Sequence, residues 1–223
     1  MDCNICDPHF SAIDQIIKKK LQNNPDDYLE GNSLYHNKRF VLRRGNNMDN
    51  LRHNLLQLGK NHHSVLEVGF NGGHSAILFY EKNPQLQFLC FDIASHCYTE
   101  ECAKYLNKHF DSFTFVKGNS VKEIPLYYQK NPHKYDIFHI DGGHSKKIAY
   151  ADIVNCSVYR KEKSIIVFDG PPSTHPHLNQ LLDFCVSQEY IVELSYTEYP
   201  YLRPTIHHRL FHYGDKCPTN TEN

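Results

Sequence analysis

The sequence predicts an α/β fold: a mostly parallel β-sheet with helices on both faces and an antiparallel hairpin at its C-terminal edge. Three observations lead there. From residue 64 onward, short apolar runs alternate with helix-length segments. Those runs are nearly continuous in apolar residues, the pattern of strands buried on both faces. The last two strand-like runs, residues 190–197 and 206–213, have no helix-length apolar pattern between them.

The chain has 223 residues, 40% of them hydrophobic, with 15 Tyr and 13 Phe. That is enough for one sizeable core and cramped for two. Residues 8–22 place Phe10, Ile13, Ile16, Ile17 and Leu21 near helical spacing behind Pro8, and residues 48–59 fit a second helix ending at Gly59. Between them, residues 23–47 are rich in Asn, Asp, Gly and Arg and read as irregular. Residues 1–60 are therefore read as a helical cap, residues 61–215 as the main domain and residues 216–223 as a flexible tail. Within the main domain, strands are predicted over 64–68, 87–91, 113–116, 135–140 and 164–168. Helices are predicted over 73–82, 99–109, 120–130, 145–157 and 175–187.

Composition narrows the function classes. The formal net charge is −1, with no Lys/Arg stripe, so nothing points to nucleic acid or an acidic membrane as partner. No apolar run approaches the ~20 residues that span a bilayer. The first residues lack the basic-then-apolar pattern of a signal peptide, so a soluble, cytoplasmic protein with reduced cysteines is expected. Cys3-x-x-Cys6 followed by His9 has a spacing that could open a zinc site, but no second Cys pair follows at finger spacing. Two thiols at a mobile end is the competing reading. The 16 histidines are spread along the chain and read mostly as surface residues.

The chemistry concentrates in four turns that follow predicted strands. The first, Leu66-Glu67-Val68-Gly69-Phe70-Asn71-Gly72-Gly73-His74-Ser75, puts a bare backbone between a strand and a helix. Ligands of open parallel sheets bind at such strand ends. A dinucleotide fingerprint would need glycine where Asn71 stands, and Glu67 would repel a pyrophosphate. A carboxylate there suits a ligand with a cationic end, and S-adenosylmethionine (SAM) offers an ammonium and a sulfonium. Asp92, ending the second strand about 20 residues on, is placed to accept hydrogen bonds from ribose hydroxyls or to cap a helix. Gly118-Asn119-Ser120 follows the third strand. Phe138-His-Ile-Asp141-Gly142-Gly143-His144-Ser145 follows the fourth, and Phe168-Asp169-Gly170 ends the fifth. Asp141 and Asp169 become neighbours if those strands are adjacent, and with His144 they could form an oxygen-rich site for Mg²⁺ or another divalent cation. A metal-free alternative makes His144 a general base, and a third reading has it only shaping the pocket.

Glu67-Val-Gly69-Phe-Asn-Gly72-Gly73-His-Ser resembles the first motif of the class I SAM-dependent methyltransferases. The closest subgroup is the small O-methyltransferases with an E-x-G-x-x-x-G-H-S loop and a later I-D-G-x-H. The resemblance covers residues 60–215 and implies a Rossmann-like, seven-stranded sheet. It implies SAM contacts at Glu67, Gly69, Phe70, Asn71, Gly72, Gly73, His74, Ser75, Asp92, Ile93, Asn119, Ser120, Asp141 and Gly142, with adenine met by the Asn119–Ser120 turn. It places Asp141, His144 and Asp169 at a reacting hydroxyl of a small molecule, sugar or phenolic in type. The metal-dependent relatives carry a further ligand just after the fifth-strand Asp, where this chain has Gly170. Asp152, in the helix over 145–157, reads as a structural or surface carboxylate. Arg39, Arg43 and Arg44 read as a solvated basic loop or an anion contact, and Tyr199 and Tyr201 as a pocket wall or part of a homodimer interface. An NAD-dependent oxidoreductase and an inactive methyltransferase-fold binding subunit are the alternative functions.

Overall fold

A computed structural model describes residues 7–170 and 175–219. Helix α1, Pro8–Asn23, starts where Asp7 accepts the His9 N–H at 2.8 Å and Pro8 needs no amide partner. It buries Phe10, Ile13 and Ile17. The stretch read as irregular contains a small antiparallel hairpin, β1 (Tyr35–His36) and β2 (Arg39–Leu42). Its strands are too short to show a period, and its turn uses Lys38 at φ 63 where a glycine or asparagine would have signalled it. Helix α2, Asn46–Asn61, follows.

The main sheet has seven strands in the order β5-β4-β3-β6-β7-β9-β8. These are β3 (Ser64–Val68), β4 (Gln87–Asp92), β5 (Phe113–Lys117), β6 (Tyr135–Ile140), β7 (Arg160–Asp169), β8 (Ile191–Glu193) and β9 (His208–Tyr213). β3 to β7 run parallel, while β9 is antiparallel to both β7 and β8. The intervening helices are α3 (His74–Tyr80), α4 (Thr99–His109), α5 (Ser120–Lys130), α6 (Lys146–Cys156) and α7 (Pro176–Ser187). β7 begins four residues before the apolar run at residue 164, because its charged Arg-Lys-Glu-Lys start carries no apolar signal. The 190–197 run shortens to β8 and gives way to a capped 3₁₀ turn at Tyr196–Glu198.

Strand alternation sorts the core into two layers. Val65, Phe88, Ile137, Ile165 and Val167 face α1 to α4, together with Leu51, Leu55, Phe79 and Leu106. Leu66, Leu89, Phe138, Ile140 and Ile166 face α5 to α7, with Ile124, Ile153 and Leu182. α2 crosses α3 so closely that a Cβ on Gly59 would lie 2.0 Å from the Phe79 carbonyl oxygen. α5 contains Pro125, whose ring removes a helical N–H. The carbonyl this would orphan, that of Val121, instead accepts the Asn155 side-chain amide at 3.1 Å. No helix among the described residues is long and apolar enough to cross a membrane. The strand order reverses between β3 and β6, so the crevice for a ligand opens at their carboxyl ends.

Candidate active site

At that switch point the backbones of β3, β4 and β6 are tied together. The Gly69 N–H donates to the Phe91 carbonyl at 2.9 Å, and the Asp141 N–H donates to the Val68 carbonyl at 2.8 Å. A Cβ on Gly69, at φ +95, would lie 2.0 Å from the Asp141 carbonyl oxygen. Gly73, at φ +83, lets the chain enter α3 over the Phe70 ring. Asn71 itself takes a left-handed conformation, φ 51, one that Asn tolerates better than most residues. Its N–H donates to Asp92 Oδ2 at 2.7 Å, and its Oδ1 accepts the Tyr98 hydroxyl at 2.8 Å.

These turns border a cavity of about 340 Å³. Gly69, Asn71, Asp92, Ile93, Asn119, Ser120, Asp141, Gly142 and His144 all line it, and Val68, Phe91 and Ile148 add apolar wall. Asp92 caps no helix: its second oxygen accepts the Ala94 N–H at 2.6 Å, so one carboxylate organises both loops. Asn119 does cap α5, accepting the Val121 N–H at 3.0 Å, while remaining on the cavity wall. A wider cleft of about 440 Å³ lies at the opposite edge of the sheet, between α3 and the start of β5. Of the residues singled out in the sequence it holds His9, whose Nδ1 contacts the Tyr105 hydroxyl at 2.9 Å. Cys3 and Cys6 lie outside the described residues.

Other residues of the first motif lie away from the cavity. Glu67 is 0% exposed and sits beneath the loop, bonded to the Ser75 hydroxyl at 2.6 Å and to His139 Nδ1 at 2.8 Å. His74 is buried and pairs with Asp14 of α1 at 3.2 Å, so it ties two helices together. Phe70 packs edge-on against Phe115 and at a tilt against Phe113. Phe70, Gly72, His74 and Ser75 border a void of about 30 Å³ that also touches Asp141, Asp169 and His139.

The carboxyl ends of β6 and β7 bring Asp141 and Asp169 into one electrostatic group. Burial and the Asp169 charge push Asp141 upward, against His144, whose Nε2 lies 3.7 Å from it. Asp141 in turn raises His144. Burial opposes ionisation of Asp169, yet the neighbouring His208, with His139 and His207, holds it below the ordinary carboxylate range. His139 and His208 are residues that sequence reading missed. The signal was available for His139: it stands two positions before Asp141 on one strand and so shares its face. His208 becomes readable only with the register, which pairs it with Asp169.

An N-terminal segment roofs the cavity. His96 Nδ1 lies 2.7 Å from Asp27, and its Nε2 lies 3.4 Å from Glu30. Glu30 and Asp27 push His96 up to about 9 against its burial. Burial works against ionisation of Asp27, but the Cys97 and Tyr28 N–H groups and His96 hold its carboxyl well below the usual range. Of the basic residues nearby, Arg43 is half-buried and interacts with Asp169 and Asp141, whereas Arg39 is exposed. The segment holding Tyr199 and Tyr201 is tied to α2: the Tyr201 and Arg203 carbonyls meet His53 and Asn54 at 3.1 and 2.8 Å.

Asp152 is not on the surface but 0% exposed, beside Gly142 and Ser120. Burial raises it from 3.8 to about 7, with Ser120 acting weakly in the other direction. The folded state thus holds the proton more tightly than the unfolded chain. The associated stability is present below about pH 4 and is lost as pH rises through 7. Asp152→Asn is expected to be near neutral at about pH 4 and to stabilise at about pH 8 by about 2–4 kcal/mol. Melting curves of both proteins across this range check it; parallel pH profiles would contradict it.

Comparison with known proteins places this geometry. The family model described as "Methyltransferase domain" matches residues 66–170, a little under half of the chain. No curated protein matches by sequence. Among solved structures, the chain is similar to apo CalS11, described as a TDP-rhamnose 3'-O-methyltransferase of calicheamicin biosynthesis, at 16% identity and TM-score 0.60, covering 96% of this chain and 97% of that one. A putative O-methyltransferase from Klebsiella pneumoniae matches at 14% identity and TM-score 0.58, covering 93% and 90%. The O-methyltransferase TomG from Streptomyces achromogenes, in complex with SAM, matches at 12% identity and TM-score 0.56, covering 90% and 86%. At these identities the likeness is one of fold. Residues 66–170 thus match a methyltransferase domain, and the chain has the Rossmann-like fold of the methyltransferases it resembles.

Proposed function

We propose that the protein is a SAM-dependent O-methyltransferase acting on a hydroxyl of a small molecule, sugar or phenolic in type. The observation that carries this is the 340 Å³ cavity at the β3/β6 switch point, with Asp92 on one wall and Asp141 and His144 on another. The residues suit SAM. Asp92 keeps free lone pairs for a ribose after its two backbone bonds. Ile93, Phe91 and Ile148 offer apolar faces to an adenine, with Asn119 and Ser120 at its edge. Gly69, Asn71 and Asp141 would hold the methionine part, where an acidic group favours a cation. Glu67 would act from beneath the loop by fixing Ser75 and His139.

SAM would supply a methyl group made electrophilic by its sulfonium. The chain's own part is to place a hydroxyl in line with that methyl and to take up its proton. Asp141 and His144 both line the cavity, with His144 Nε2 3.7 Å from Asp141 Oδ1, and the carboxylate raises the imidazole, which suits a proton acceptor. Asp169 holds negative charge next to them, and a divalent cation there would lower the hydroxyl pKa. CalS11, described as acting on a TDP-sugar, supports a sugar hydroxyl as acceptor. Arg43, whose charge interacts with the same carboxylates, suits an acceptor bearing an anion.

The test is incubation with SAM and a panel of nucleotide sugars and phenols, scoring methylated product and S-adenosylhomocysteine (SAH) together. Methylation of a hydroxyl is expected, and Asp169→Asn should abolish turnover while leaving SAH affinity within about threefold. Stabilisation by NAD and not by SAH would overturn the reading. Tight SAH binding with no turnover on any acceptor would favour the binding-subunit alternative.

A further inference from the structure

We infer that His139, Asp169 and His208 form a binding site for a divalent transition-metal ion of the Zn²⁺ type, with Glu67 as its outer support. One ligand atom from each of the three residues lies within 4.8 Å of the others. The three come from adjacent strands: β6, the end of β7 and the start of β9. Both imidazoles are buried, at 1% and 3% exposure. Among the described residues, His139 Nε2 has no hydrogen-bond partner, and neither ring nitrogen of His208 makes a hydrogen bond. His208 Nε2 instead stands 3.7 Å from Asp169 Oδ2. Buried polar groups are normally satisfied, and leaving donors or acceptors unmet destabilises the fold. An ion between the two rings would satisfy one of these nitrogens on each ring.

The surroundings suit an ion. His139 meets Glu67 through Nδ1 at 2.8 Å, which turns Nε2 toward Asp169 and His208. This is the carboxylate–histidine–metal relay in which an outer carboxylate fixes the tautomer of a ligand imidazole. Two carboxylates, Glu67 and Asp169, balance a dipositive charge. Tetrahedral ligands at about 2.0–2.1 Å stand about 3.4 Å apart, so the site would close by roughly an ångström, within reach of small side-chain rotations. The 30 Å³ void bordered by His139, Asp141 and Asp169 shares Gly69, Asn71 and Asp141 with the wall of the active-site cavity. Two nitrogens and one oxygen select Zn²⁺ or a similar ion over Mg²⁺ or Ca²⁺. This set therefore differs from the oxygen-rich site of Asp141 and Asp169, with His144 nearby, that the sequence alone suggests. The inference sharpens the proposed active site but stands without methyl transfer.

The test uses chelator-stripped full-length protein titrated with Zn²⁺ by calorimetry and with Co²⁺ by visible absorption, in the absence of SAM. One equivalent is expected to bind, with the intense absorption of low-coordinate Co²⁺. His208→Gln, which breaks no hydrogen bond in the fold, and His139→Gln are each expected to weaken binding at least 100-fold, whereas Asp141→Asn stays within threefold. Circular dichroism and SAH titration of each metal-free variant identify any that has misfolded. Should His139→Gln fail to fold, His208→Gln alone decides between the outcomes. Stoichiometric binding unaffected by His208→Gln, or lost in Asp141→Asn, would overturn the assignment, as would no binding at all. SAH titration of the metal-free protein tests the methyltransferase reading separately, so either can fail alone.

Discussion

Gly69→Ala is expected to be the most damaging single methyl group that can be added to the ligand-facing loops. Two effects add. Gly69 lies at φ +95, and its new Cβ would meet the Asp141 carbonyl oxygen at 2.0 Å. That oxygen is backbone, and its strand is anchored by the Asp141 N–H to Val68 bond, so it cannot swing aside. A left-handed penalty of about 1–2 kcal/mol and an overpacking cost of about 1–3 kcal/mol give a loss of about 2–5 kcal/mol. At about 2–4 °C per kcal/mol for a chain of this size, the melting temperature should fall by about 10 °C. Gly45→Ala is the control: Gly45 is also left-handed, at φ +111, but its Cβ would meet nothing within 4 Å. Calorimetry of the two variants separates collision from strain. Equal losses would mean that β3 and β6 are free to part, contrary to the tight junction described above.

Asp92→Ala is expected to weaken SAH binding at least 100-fold. The carboxylate accepts the Asn71 N–H at 2.7 Å and the Ala94 N–H at 2.6 Å, so its loss frees both loops that border the cavity. Hydrogen bonds to a charged group are worth about 1.5–3 kcal/mol each, and the ribose contact is lost in addition. Asp92→Asn keeps the shape and one acceptor, and should recover part of the affinity. Titration calorimetry with SAH reads both variants; wild-type affinity in Asp92→Ala would remove Asp92 from the site.

The sheet was legible in the sequence because its strands are buried on both faces and its turns carry glycine and aspartate where β3, β4, β6 and β7 end. Asp92, Asn119, Asp141 and His144 could be placed on the cavity wall for that reason, since residues at or a few steps beyond the carboxyl end of a parallel strand border the crevice. Glu67 was harder. Its position on the motif says that a carboxylate stands there, but not that His139 on the neighbouring strand turns it inward. The β1/β2 hairpin is local, but its strands are too short to show a period, and the clasp of His96 on Asp27 and Glu30 joins residues more than 60 apart in sequence, which no local period encodes. His208 was hidden for the same reason: its partner is fixed by an antiparallel register, and short polar-aromatic runs such as His207-His208-Arg209 carry no directional signal.

One binding measurement bears most directly on the whole account: calorimetric titration of the metal-free, wild-type protein with SAH and, separately, with NAD. Saturable one-to-one binding of SAH in the micromolar range, abolished by Asp92→Ala and unaffected by excess NAD, is the predicted result. No heat from SAH, or displacement of SAH by NAD, would contradict it.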